Sequence, residues 1–93
     1  MADSDPTFYE RADAIINLAN QQVKQDISHG SVSASAMYGV ARYNAFVSAG
    51  DFESAAAFKA ERKEIVDYFV EEYRKMLEEH LDDHAENFSQ YFG

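Results

Sequence analysis

The chain has 93 residues, 17 acidic against 8 basic, a net charge of −9, 46% hydrophobic and 14% aromatic residues, and no cysteine. No disulfide, thiolate zinc site or thiol nucleophile can form without cysteine. The acidic balance counts against nucleic acid, whose affinity comes from Lys and Arg displacing counterions, and against anionic lipid surfaces. The apolar content is enough for one folded domain over residues 1–93, although a chain this short buries only roughly 60–65% of its unfolded surface.

The first helix is expected to begin near Asp5-Pro6, with Asp5 as cap and Pro6 at the first helical position, where its missing N–H costs nothing. Phe8, Ala12, Ile15, Ala19 and Val23 follow at helical spacing and form one apolar stripe, widened by Ile16. Ser28-His29-Gly30 supplies the stop, with Gly30 available for the left-handed conformation that ends helices. The second helix starts at Ser31 or Ser33 and runs to Ala49, ended by Gly50. It carries one charge, Arg42, and is apolar or small on nearly every face. A helix of that kind is buried all round, which places it at the centre of a bundle.

Asp51 is the expected cap of the third helix, with Glu53 beside its positive end. No Gly or Pro interrupts the chain from there to Tyr91. Its stripe is Phe58, Arg62, Ile65, Phe69, Tyr73, Met76, His80, His84 and Phe88, and Glu71 and Lys75 form an i,i+4 pair. An unbroken helix here would span about 45–60 Å against roughly 25–30 Å for its neighbours. Two solutions stand open. A break at Asp82-Asp83 lets the tail fold back as a fourth short helix, or a second copy covers the overhang. The fold expected is thus all-α: a small bundle of three long helical segments, with a fourth short C-terminal helix under the first solution.

Three blocks of sequence resemble an uncharacterised proteobacterial family of small acidic helical proteins, a domain of unknown function. They are Ala12 to Gln21, Val32-Ser33-Ala34-Ser35 leading into Ala41 to Phe46, and Asp67-Tyr68-Phe69 through Arg74 to Glu79 and on to Leu81-Asp82-Asp83. The resemblance covers nearly the whole chain. It implies a stand-alone single-domain cytoplasmic protein and transfers no activity, cofactor or catalytic residue.

The candidate sites follow from isolated polar groups. A buried guanidinium must find carboxylates or carbonyls or snorkel to water, so Arg42 is expected to pair with Asp13, Asp67 or Glu64, as a structural ion pair or as an anion site, unless its head reaches solvent. Asn44 with Asn17, Asn20 and Gln21 suggests a polar layer, or a small-ligand pocket. His80 and His84 share a helical face, the spacing of a weak two-ligand metal candidate. Neither the zincin pattern nor the Glu-x-x-His pattern is present. The stretch from Glu71 to Glu86 holds seven carboxylates against Arg74 and Lys75. Glu78, Glu79, Asp82 and Asp83 therefore read as a solvated face or a docking surface for a basic protein. Phe88, Tyr91 and Phe92 either pack back, against Phe8 or Tyr9, or contact a partner.

The composition and motifs point to a non-enzymatic acidic interaction or accessory protein, self-associating or bound to a basic protein, with no cofactor, no nucleic acid and no membrane. A small-ligand or metal-binding regulatory protein is the alternative, and an enzyme comes third. The acidic, h-region-free N-terminus and the lack of an apolar span make the cytoplasm the default compartment.

Overall fold

A computed structural model describes residues 6–93. Helix accounts for 82% of it, with no strand among the described residues, so the fold is all-α. Five helices follow one another: α1 (Phe8–Gln22), α2 (His29–Ala49), α3 (Ala55–Ala60), α4 (Arg62–Glu86) and α5 (Phe88–Phe92). The chain divides into two compact units, residues 1–47 and 48–93, with the boundary in the last turn of α2.

In the first unit, the expected cap Asp5 lies outside the described residues, and Pro6 sits in a turn ahead of α1. Thr7 occupies the cap position without capping through its side chain. Its hydroxyl accepts from the Arg11 guanidinium instead. α1 ends at Gln22, earlier than the Gly30 stop suggests, because Val23 turns extended at φ −71° and ψ 127°. Lys24 and Ile27 then exchange two backbone hydrogen bonds of 3.1 Å across a tight turn. That turn frees Ser28 to start α2: its Oγ accepts from the Ser31 amide at 3.1 Å, satisfying one of the unpaired N–H groups of the first turn. Gly30 therefore lies inside α2 rather than ending α1, and the cap is neither Ser31 nor Ser33.

The apolar stripe of α1 is partly realised. Phe8, Ala19 and Val23 are half-buried, while Ile15 and Ile16 stay exposed. The central placement of α2 is overturned. Val32, 4% exposed, is the one buried hydrophobic side chain among the described residues. Ala36, Asn44, Ser48 and Ala49 are half-buried, and the remainder of α2 faces outward, including Tyr38, Tyr43 and Phe46. Uniform apolarity meant an apolar surface here, not an interior one. The inference from apolar to buried runs in one direction only, since much of any folded surface is apolar.

In the second unit, Gly50 opens the turn after α2 as expected, but Asp51 does not cap the next helix. The amides of Asp51 and Phe52 close on Ser48 and Ala49 carbonyls at 3.2 Å, capping the C-terminus of α2. Ser54 takes the N-cap role instead, its Oγ accepting from the Ala57 amide at 3.1 Å. Phe52 and Phe58 pack ring to ring at 5.5 Å. With Ala49, Glu53, Ser54 and Ala55 they line an open groove of about 390 Å³.

The third helical segment is broken twice. At Glu61 (φ −96°, ψ 8°) the chain tightens, and the Glu61 amide donates to Phe58. Nothing in the residue types explains this break. The second break falls at Asn87, beyond the expected Asp82-Asp83, and has a local cause. The Asn87 side chain reaches back one turn, donating to the Asp83 carbonyl at 3.2 Å and its carboxylate at 2.9 Å. An amide that bonds locally in this way competes with helix continuation. The tail then forms the short fourth-segment helix α5.

Candidate functional site

Two surfaces carry the chemistry of the chain, one in each unit. The first is a clasp at the C-terminus. Asp83, Asn87 and Tyr91 recur at four-residue intervals on α4 and α5, one face of a helical path. Asp83 accepts from the Tyr91 hydroxyl at 2.6 Å through one oxygen and from Asn87 through the other. The Tyr91 ring lies flat on His84, centroids 4.1 Å apart and planes 15° apart. His84 Nδ1 lies 2.8 Å from the His80 carbonyl, a bond that requires the ring proton on Nδ1. The Tyr91 and Asn87 hydrogen bonds hold the Asp83 carboxyl below the usual carboxylate range, and Asp83 in turn raises the Tyr91 phenol.

Asp83 and Tyr91, both candidate partner contacts, are thus engaged with the chain itself. Glu78, Glu79 and Asp82 project exposed from α4. Phe88 and Phe92 pack ring to ring at 5.0 Å, tilted by 37°, and remain 60% and 68% exposed, so an apolar tip lies beside the acidic face. The pairing expected from Glu71 to Lys75 is made by Glu72 instead, at 2.7 Å and one residue closer.

The second surface is the outer face of α2. Arg42 is exposed, contrary to the buried ion pair expected of it. Its guanidinium sits over the Tyr38 ring, 4.9 Å from the centroid. The ring one turn back offers a cation–π seat and removes the need for a buried carboxylate. Of the carboxylates expected near it, Asp13 is exposed on α1, and Asp67 is held by Lys63 at 2.6 Å within α4. Asn44 is half-buried, whereas Asn17, Asn20 and Gln21 face solvent. Among the described residues no polar side chain is buried, so the polar layer is not formed.

His80 and His84 lie on one face as their spacing requires, but His84 Nδ1 already serves a carbonyl and its ring is stacked. Among the described residues no three His, Asp or Glu side chains are grouped to hold a metal ion. No helix there is long and apolar enough to cross a membrane.

By sequence, Tyr38 and Tyr43 flank Arg42 and read as half-buried packing residues; both are exposed, and the sequence pattern missed the role of Tyr38 as the aromatic seat of Arg42. The signal was available as an aromatic four residues before a lone cation. It also missed Asn87, whose place in the Asp83–Asn87–Tyr91 ladder was legible from spacing alone.

The family described as "Protein of unknown function (DUF3144)" matches residues 8–85. Among solved structures, the chain is similar to the NMR structure of the protein NB7890A from Shewanella sp.. The two are 41% identical over 94% of this chain and 92% of that one, with a TM-score of 0.79. No curated protein matches.

Proposed function

Because the chain belongs to that DUF3144 family of unknown function, we propose from its own surfaces that it is a non-catalytic interaction protein with two unlike faces. One is apolar and takes a second copy of the chain. The other, acidic and carried on α4, takes a basic protein. One observation carries the reading: large apolar side chains stand exposed along α2 (Met37, Tyr38, Tyr43, Phe46) and α4 (Tyr68, Tyr73, Met76, Leu81). Single exposed hydrophobes are ordinary, but several large ones exposed along one helix support a contact surface.

The acidic face is chemically separate. Residues 71–93 carry a net −5, and exposed Glu78, Glu79 and Asp82 are not claimed by cations of their own helix in the way that Asp67 and Glu72 are. Such a face attracts Lys- and Arg-rich partners and speeds their encounter, more strongly at low salt. Titration with a Lys/Arg-rich peptide tests this arm. Binding that weakens with salt and is lost in the triple variant Glu78→Gln, Glu79→Gln, Asp82→Asn supports it, whereas unchanged binding by the triple variant refutes it.

A further inference from the structure

We infer that the second copy docks on α2, around Gly39, in an antiparallel two-fold crossing that sets Phe46 of each copy over Gly39 of the other. This rests on the self-association reading above and adds the face, the symmetry and the contact.

Charge selects the face. Residues 27–50 contain no Asp or Glu, although the chain holds 17. Two copies, each at −9, repel wherever carboxylates meet, so close approach is least opposed along this carboxylate-free stretch. α4 exposes apolar residues too, but interleaves them with Glu71, Glu72, Glu78, Glu79 and Asp82. The single formal charge of α2, Arg42, is seated over the Tyr38 ring of its own helix.

Shape selects the symmetry. Val32, Ala36, Gly39, Tyr43 and Phe46 follow at spacings of four and three, the period of a helix–helix seam. The start of the seam is covered, with Val32 buried and Ala36 half-buried. Beyond it the seam is bare: Tyr43 is 66% and Phe46 75% exposed. Between the two lies a hole. A Cβ built at Gly39 would meet nothing within 4 Å among the described residues. Glycine weakens a helix interior, and no neighbour among the described residues requires it there. Gly39 and Phe46 are seven residues apart, two turns along one face, so the surface carries a hole and a knob that an antiparallel copy matches reciprocally. An isologous interface demands that self-complementarity, and a second copy satisfies it without a tailored foreign partner.

The area suffices for a weak self-association. Aromatic side chains bury about 150–250 Å² each when fully enclosed. With Val40 and Val47 on the flank of the seam, the bare portions of Tyr43 and Phe46 provide roughly 350–500 Å² per copy, the size of a weak, concentration-dependent contact, against about 800 Å² per partner in a standard interface.

Sedimentation velocity on the full chain over a range of concentrations tests this with five variants. Phe46→Glu is expected to weaken association at least about thirtyfold, the loss of a hot-spot anchor. Gly39→Ala is expected to weaken it about tenfold by filling the hole, while helix content by circular dichroism holds or rises. Gly39→Ala added to Phe46→Ala is expected to cost nothing beyond Phe46→Ala alone, because the truncated ring leaves room for the new methyl. Leu81→Glu, on α4, is expected to leave association unchanged. If the wild-type chain dimerises but Gly39→Ala and Phe46→Glu leave it intact, or Leu81→Glu breaks it, the α2 crossing is wrong and self-association stands. If additive losses appear in the double variant, the Phe46–Gly39 contact is wrong. A wild-type monomer at all concentrations overturns both.

Discussion

Replacing Val32 with Ala tests the account of burial, because Val32 is the one buried apolar side chain among the described residues. The change removes two methyl groups from a site 4% exposed, worth about 1.6 kcal/mol at ~0.8 kcal/mol per buried carbon. Incomplete collapse around the vacated space adds to that loss. Alanine returns about 0.5 kcal/mol through its better helix propensity. The net destabilisation is therefore about 1–2 kcal/mol, which for a chain of this size lowers the melting temperature by about 4–16 °C. Val70→Ala is the matched control: Val70 is 51% exposed, so transfer loss and propensity gain nearly cancel, within about 0.5 kcal/mol. Thermal melts followed by circular dichroism, at one fixed protein concentration, compare the two directly. A Val32→Ala melting temperature equal to or above the wild type, or a loss at Val70 as large as at Val32, refutes the assignment of burial to the start of α2.

Arg42→Ala is expected to cost under about 1 kcal/mol in a chemical denaturation of dilute protein, since an exposed cation–π contact with Tyr38 and not a buried ion pair is removed. Ser54→Ala is expected to destabilise by about 1 kcal/mol through loss of the cap on α3, seen as faster amide exchange at Ala57. The clasp makes a prediction in pH. The lowered Asp83 carboxyl contributes stability that is present above its unfolded titration range and lost as pH falls through its folded midpoint. The raised Tyr91 phenol contributes stability present below its ordinary value near 10 and lost as pH rises through its folded midpoint. NMR titration of Phe88–Phe92 amides should show α5 loosening at both extremes, and Tyr91→Phe should move the Asp83 midpoint up toward the usual carboxylate range. An unmoved Asp83 midpoint in that variant contradicts the clasp.

The helices were legible because periodicity and turn residues speak locally. Phe8 to Ala19 read correctly as helix, and so did the Ala49–Gly50 stop. Their ends were less legible, since competing donors decide them. Asp51 reads as a cap until its amide is seen closing α2, and Ser28 reads as part of a stop until its hydroxyl is seen opening the next helix. Asn87 ended α4 through two side-chain bonds to Asp83, which the nearby pair Asp82-Asp83 overshadowed as a break signal. The burial of Arg42 was misread for a different reason. Apolarity around a helix does not by itself place it inside, since much of any folded surface is apolar. The same ambiguity hid the site: Gly39 and Phe46 look like core residues by pattern, and only their exposure marks them as surface.

The mass of the wild-type chain in solution bears on all of this most directly. Sedimentation equilibrium at micromolar to millimolar concentration should return twice the 10.5 kDa chain mass, with association that holds or strengthens as salt screens the −9 charge of each copy. A 10.5 kDa species that persists across the whole concentration range, in high and low salt alike, contradicts it.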